Sequence, residues 1–393
     1  MIDVAIIGGG PAGIAAALAL RARGVGRVAI LERDDAPGGV PRYCGHRPFG
    51  TREFGRILTG PAYARLLAAK AEAAGVAMLL RHSVVGLGPG GMLDVAVPEG
   101  RKRIKALRVL LATGAREAPP STQLAGVLTT GALLTYVHSQ EVIPFARPMV
   151  VGTELVGLSA LATCRRHGIK PVAVVEAGDR ATARWPFGLF PRLLGIPVHY
   201  NSEISEIRGV ERVEAVMLRD GTVLECDGVL VTGNFFPEAS LARASHLVMD
   251  AASGGPAIDQ YGRCSDGAYF AAGNLLRPIE TAAWCFREGS TIADYIADDL
   301  AGGLPSAEGA VEVLAGSRVK FVVPQRLTRV TPLRGLMQLR VNAPVRGQLR
   351  VLAGEEVLAR RHVSTRPERR ILLDMENIKL PSEASRIVVE IMP

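Results

Sequence analysis

The chain is poor in cysteine. It has five in 393 residues (Cys44, Cys164, Cys226, Cys264 and Cys285), and no two stand at the close spacing of a zinc or iron–sulfur ligand set. No local metal motif is present, so no metal site is expected, and a disulfide framework is not expected in a reducing compartment. Aromatic residues make up 5% of the chain and are not interleaved with basic ones, which argues against nucleic acid as a partner. No apolar run approaches the roughly 20 residues a helix needs to cross a bilayer. The chain opens on the strand-like run Asp3–Ile7, which leaves no room for a signal peptide, so the expected location is the cytoplasm.

Acidic charge is also scarce in one region. The net charge of +8 belongs to residues 316–393, which hold 15 Lys/Arg against 7 Asp/Glu, while the rest of the chain balances at 31 and 31. A docking face for a partner and a solvated basic surface both fit that excess.

Glycine is abundant, with 44 residues, and two clusters of it carry the pattern. The first is "IIGGGPAG" (6–13), after the apolar strand Asp3–Ile7 and before an Ala/Leu-rich helix predicted over 14–23; the strand Val28–Glu32 follows. This is a βαβ unit of dinucleotide-binding form, Gly8-x-Gly10-x-x-Gly13 with Pro11 and Ala12 between the last two glycines. Gly8 allows the tight turn, Gly10 lets a pyrophosphate approach the backbone, and Gly13 lets helix and strand pack closely. The helix N-terminus supplies N–H donors and partial positive charge for the phosphates. Glu32, at the end of the second strand beside Arg33, can accept from a ribose hydroxyl and would repel a 2′-phosphate.

The second cluster is "VVGTELVG" (150–157), where Glu154 stands in place of the second glycine. A strand "PVAVVE" follows and ends on Glu176 as a ribose-binding acid would. Both cycles close on a strand ending in Thr-Gly: "LLATG" with Thr113 and Gly114, and "LVTG" with Thr232 and Gly233. Beyond the linker "AGGLPSAEG" (301–309), alternating apolar runs broken by Pro and Gly predict strands. The fold expected is α/β: two Rossmann-like βαβ modules, the second inserted in the first, plus a small C-terminal all-β domain. The expected bounds are 1–115 and 239–305 for the first dinucleotide-binding domain, 116–238 for a second, NAD-like and degenerate dinucleotide module, and 316–393 for the basic β domain.

The stretches "GGVPRYCGH" (38–46), "LTGPAYA" (58–64), "GTELVG" (152–157) and "GNLLRPIETAAWCFREG" (273–289) carry a resemblance to the two-dinucleotide-domain flavoproteins of the pyridine nucleotide–disulfide reductase superfamily. A closer likeness is to α-type subunits of heteromeric bacterial dehydrogenases such as opine oxidase, hydrogen cyanide synthase and the dye-linked proline and hydroxyproline dehydrogenases. It extends to flavoproteins of glycerol-3-phosphate-dehydrogenase-like gene sets. The resemblance implies FAD in the first module, with Gly39, Arg42, Thr113, Gly114, Gly273, Asn274 and Thr281 added to the glycine turn, Glu32 and Arg33 as cofactor-binding residues. "AAGN" (271–274) stands where such proteins carry Ala-Gly-Asp, whose acid bonds the ribityl chain; Asn274 can hydrogen-bond a hydroxyl instead. Glu280 and Thr281 suit a helix N-terminus.

Two departures narrow the chemistry. Disulfide reductases carry C-x-x-x-x-C near the flavin, whereas here Phe49 stands five residues after Cys44. No cysteine follows Cys285, where several related α subunits hold an iron–sulfur cluster, so an iron–sulfur relay would come from another subunit. Cys44 and His46 are the catalytic candidates, as a thiolate–imidazole pair or, on the plainer reading, as a packed residue and a loop hydrogen-bonder. His138 and His246 stand without company that would make them ligands.

Glu154 would put bulk and negative charge against a pyrophosphate, so NAD(P)H is not expected in the second module, though another adenine nucleotide stays open there. The function expected is an FAD-containing subunit of a heteromeric dehydrogenase or oxidase acting on a small amine, amino acid or related substrate. Its expected partners are a second flavoprotein subunit and, as an option, an iron–sulfur subunit. The alternatives are a stand-alone NAD(P)H-dependent flavin oxidoreductase and a non-catalytic nucleotide-binding partner subunit.

Overall fold

The computed structural model describes residues 2–120, 122, 124–367 and 369–392. It divides into two compact units: Met1–Gly39 with Ala64–Ala115 and Pro237–Pro393, and Val40–Tyr63 with Arg116–Phe236.

In the first unit the strand Ile2–Ile7 is apolar throughout its buried half and pairs in parallel with Val28–Glu32 on one side and with the end of Gly100–Leu111 on the other. Ala77–Leu80 and Tyr269–Ala271 extend the parallel sheet at its two edges. Strands buried on both faces read as continuous apolar runs, which is how "VAILE" and "RVLL" appear. The long strand Gly100–Leu111 serves two sheets. Its exposed, basic first half pairs antiparallel with Met92–Val97, which pairs with Ser83–Gly88. The helix Pro11–Ala22 lies beside the helix Ala282–Leu300. Any Cβ at Gly289 would collide with the Ala12 carbonyl, so the small residue is what lets the two helices touch.

The second unit repeats the plan. Five parallel strands stand in the order Val198–Tyr200, Ala173–Glu176, Pro148–Val151, Gly228–Val231, Val127–Thr129. A three-stranded antiparallel meander, Ile204–Arg208, Ala215–Leu218 and Val223–Glu225, accompanies them. The segment 40–63 belongs to this unit: Arg166 Nη1 donates to the Gly45 carbonyl at 3.1 Å.

The C-terminal region is all β. Strands from Val311 to Met392 form a five-stranded and a three-stranded sheet around a core that includes Val313, Leu327, Met337, Leu349, Val351 and Ile387. It is nonetheless part of the first unit, joined by buried polar bonds. Gln260 and Thr328 exchange two bonds at 2.8 Å, and the Ile258 N–H donates to Gln325 Oε1 at 3.1 Å. Of the basic residues that give this region its charge, Arg340 and Arg370 are used internally: both pair with Glu280.

Candidate functional site

The first glycine turn is built by sterics. Gly8 has φ +108°, closed to most side chains, and a Cβ there would meet the Ala112 carbonyl. A Cβ on Gly13 would collide with the Gly8 carbonyl, so turn and helix can close only with glycine at both ends. Gly10 is the N-cap of the helix Pro11–Ala22 and has no side chain to cap it, with Pro11 at the first helical position. The free N–H groups of that helix end are left for an anion. Gly39, at φ +61°, passes so close that its Cβ would lie 3.0 Å from Gly10 Cα. Glu32 orders the turn by accepting from Gly9 N–H at 2.8 Å and Asp34 N–H at 3.0 Å. Arg33 is exposed and faces Asp34 at 3.7 Å.

The far end of the site comes from the segment before the helix Ala282–Leu300. Thr113 Oγ1 donates to the Glu238 carbonyl at 2.7 Å, and Gly114, at φ +80°, accepts from Glu238 N–H at 2.9 Å. Gly273 donates its N–H to Glu288 at 2.7 Å, and its φ of +78° places it against Ala12. Asn274 spends both ends of its amide on Glu280: Oδ1 accepts from the Glu280 N–H at 2.7 Å, and Nδ2 donates to the Glu280 carbonyl at 3.3 Å. One Nδ2 hydrogen is left for a ligand hydroxyl. Thr281 caps the helix, accepting from Trp284 N–H at 3.3 Å.

Arg277 and Glu280 turn out to be the centres of a buried network that their sequence positions do not announce. Arg277 is 1% exposed and pairs with Glu288 and Gln338. Glu280 takes Arg340, Arg370 and the Gln338 amide, the last at 2.7 Å. The Arg287 and Arg370 guanidinium groups both stack on Trp284, at 4.2 and 3.6 Å from its ring centre.

Arg42, Cys44 and His46 lie in the second unit. Their surroundings favour the plainer reading over a thiolate–imidazole pair. Burial, with the charge of Glu117 adding to it, pushes the Cys44 thiol up to about 12, so it stays protonated at neutral pH. Its sulfur faces the Val40 carbonyl at 3.6 Å. His46 packs its ring against Phe49 at 5.1 Å, bonds the Arg47 carbonyl, and is held below its usual pKa by burial. Arg42 stacks on Tyr43. The His138 ring meets that of His167 edge-on at 5.1 Å, and both Nε2 atoms are buried without a hydrogen-bond partner. His246 bonds Asp266 at 2.9 Å.

The second turn keeps the frame of the first. Gly152 has φ +102°, and a Cβ on Gly157 would collide with the Gly152 carbonyl as Gly13 would with Gly8. Glu154 is the N-cap of the helix Leu155–Arg166, the place Gly10 holds in the first turn. Its side chain does not cap that helix. It folds back over the turn, between Gly152 and Gly233, and meets Thr232. Glu176 repeats the bonding of Glu32, accepting from Thr153 N–H at 3.2 Å and Gly178 N–H at 3.0 Å, and adds the hydroxyls of Thr153 and Thr182.

Burial raises the Glu154 pKa, with Thr232 opposing it and the charges of Glu176 and Glu117 adding to it. The local hydrogen count agrees. Thr232 has one hydroxyl hydrogen but faces two acceptors, the Val151 carbonyl at 2.6 Å and Glu154. Thr232 can give that hydrogen to only one of them at a time, so it offsets the effect of burial on Glu154 only in part. The folded-state pKa is therefore above the unfolded one. The stability this acid contributes is complete below its unfolded pKa and is lost as pH rises through the folded value. Glu154→Gln keeps a donor for Thr232 at every pH. It is expected to raise the melting temperature at pH 8 by about 2 °C or more, with the gain vanishing toward pH 4; a gain that grows on acidification would contradict the assignment.

Residues 2–289 match the family model described as pyridine nucleotide-disulphide oxidoreductase. The chain belongs to that family. It is 29% identical over 322 residues to the benzene 1,2-dioxygenase system ferredoxin–NAD(+) reductase subunit of Pseudomonas putida, covering 75% of this chain and 74% of that one. The likeness to heteromeric-dehydrogenase subunits is present but shorter: hydrogen cyanide synthase subunit HcnB of Pseudomonas aeruginosa is 29% identical over 230 residues, 52% of this chain and 48% of that one. Among solved structures, T. acidophilum thioredoxin reductase superposes with a TM-score of 0.63 at 21% identity, over 76% of this chain and 98% of that one, a likeness of fold. As a member of this family the chain is an FAD-dependent oxidoreductase, and the uncapped helix end, the glycine cradle and Glu32 of the first turn fit FAD.

Proposed function

We infer that the chain is the flavin-carrying component of a multi-component oxidoreductase, exchanging electrons with a protein partner and not with NAD(P)H. A separate subunit would oxidise a small amine, amino acid or related substrate. The observation that carries this reading is Glu154, whose carboxyl lies over the second turn, where a pyrophosphate would have to sit. The first module offers a bare helix end instead, and Gly9–Gly10, Gly39 and Glu32 would hold and orient FAD there. When bound, FAD supplies hydride acceptance and one-electron release. The protonated, buried Cys44 leaves no thiolate to share that work. Both relatives described above are named as subunits of larger systems, which supports a partner.

A second reading keeps NADH as donor. It is favoured by the intact bonding of Glu176, which still stands as a ribose-binding acid would, and by the ferredoxin–NAD(+) reductase name of the P. putida relative. An anaerobic spectrum of the purified chain, before and after NADH or NADPH, separates the two. The flavin band is expected to stay oxidised in the natural chain and to bleach in Glu154→Gly. Prompt bleaching of the natural chain would establish the second reading.

A further inference from the structure

Between Arg180 and Tyr200 the chain has three arginines, one histidine and no Asp or Glu. This segment also exposes three large apolar side chains within nine residues. Trp185 is 83% exposed, Leu193 77% and Phe187 57%. They are not a loose loop. Phe190 and Leu194 turn inward onto the core of Leu158, Leu161 and Val174, which fixes the opposite side of the segment outward. Its root is tied to the second turn: Ala183 N–H donates to the Thr153 carbonyl at 3.1 Å, and Thr182 N–H to Thr153 Oγ1 at 2.8 Å. Beside it runs a shallow groove of about 510 Å³ lined by Leu189, Ile196, Val198 and Tyr200, with Arg192 at its edge.

We propose that this segment is a peripheral membrane-contact surface that seats Trp185, Phe187 and Leu193 in the interfacial layer of an anionic lipid bilayer. Water-exposed apolar groups presented together mark an interaction site. Trp, Phe and Leu flanked by arginines are the composition of interfacial anchors. Arg184 and Arg192 are exposed and immediately precede Trp185 and Leu193, so these two inserted groups each have a cation beside them in the chain; Arg180 is exposed as well and faces Asp179 at 3.7 Å. A second copy of the chain would face these arginines with its own. A protein partner would ordinarily meet charges of both signs, and none of the negative sign lies between Arg180 and Tyr200; Asp179, just before it, is already paired with Arg180. The contact is peripheral: among the described residues no helix is long and apolar enough to cross a membrane.

The test is flotation of the full flavin-loaded chain with vesicles of phosphatidylcholine containing one-third phosphatidylglycerol, against phosphatidylcholine alone. Binding is expected to the anionic vesicles. It should survive in part at about 1 M NaCl, where the Debye length is about 3 Å and only the apolar contribution is left. Arg184→Ala is expected to weaken it about fivefold, and Trp185→Ser with Leu193→Ser on the order of tenfold or more. These side chains are exposed, so an unchanged melting temperature confirms that the variants fold. The emission of Trp185, one of two tryptophans, should shift to the blue on binding, and the shift should vanish in Trp185→Phe. The Arg360→Ala, Arg361→Ala variant, on the basic C-terminal region, should bind as the natural chain does. The proposal is overturned by absence of flotation at low salt, or by binding that the serine variants leave intact. Binding lost equally in the Arg360, Arg361 variant overturns it as well, since the contact is then general electrostatics. So does a concentration-dependent mass that the serine variants abolish without any vesicle binding, because the surface then meets protein.

Discussion

Replacing Gly13 by valine is expected to leave the purified chain colourless. The new Cβ alone would collide with the Gly8 carbonyl, and the nearest side chain, Ile6 Cγ2, already lies 3.1 Å from where it would stand. Neither neighbour can yield. Gly8 is held by its own φ of +108° and by its N–H bond to the Leu31 carbonyl at 3.0 Å; Ile6 is fully buried in the central strand. The helix Pro11–Ala22 must therefore back away from the strand and carry its N-terminal donors out of range of the pyrophosphate. Overpacking of this kind costs about 3 kcal/mol at the upper end of its usual range, so FAD affinity should fall on the order of 100-fold. Gly24→Ala is the control. Gly24 has φ +81° but nothing within 4 Å of its Cβ, so it tests backbone strain without collision. It should cost about 1 kcal/mol of stability and keep its flavin. Flavin-to-protein ratios after desalting decide the matter. A yellow Gly13→Val with the ordinary ratio would remove the first turn from the binding site.

The parts of this protein that could be read in the sequence are those whose physics is local. The first turn is legible because glycine spacing states its own sterics within eight residues, and the repeat of strand, turn and acid made the second module visible even with Glu154 in it. That Glu154 would be awkward for a phosphate also follows from its position. The upward direction of its pKa does not, because that depends on burial in the fold and on Thr232, 78 residues away, whose one hydrogen a carbonyl also accepts. Cys44 and His46 were ambiguous for the same reason: a thiol's state is set by burial, which no motif reports. The charge of the C-terminal region was legible as a total and misleading as a surface. Arg340 and Arg370 point inward to Glu280, a contact between residues 60 and 90 positions apart. The run "RWPFGLFPRLL" (184–194) has the composition of a core segment, and only the fold shows Phe190 and Leu194 inside with Trp185 and Leu193 outside.

Glu288→Ala should be the most destabilising single truncation near the site, by about 3–5 kcal/mol. Arg277 is buried with a full charge, and Glu288 is its only anionic direct partner among the hydrogen bonds of the described residues; Gln338 gives a neutral acceptor at 2.9 Å, and Nε has none. Removing the carboxylate leaves a charge that can neither reach water nor lose its proton. It also strips the Gly273 N–H of its acceptor, and Gly273 is the residue that packs against Ala12 at the start of the flavin-site helix. The damage should therefore show twice in one urea titration: as a lower midpoint with an unchanged slope by circular dichroism, and as flavin release at the same denaturant concentration by fluorescence. The double variant Arg277→Met, Glu288→Gln removes both charges and keeps an acceptor for Gly273, so it should recover most of the loss, since a buried pair is costly to break and cheap to replace. If Glu288→Ala lies within about 1 kcal/mol of the natural chain, water must reach Arg277 and the network is not a closed one. If the double variant is no better than the single, the stabilisation comes from the carboxylate at Gly273, and the ion pair is incidental to how the C-terminal region and the flavin half hold together.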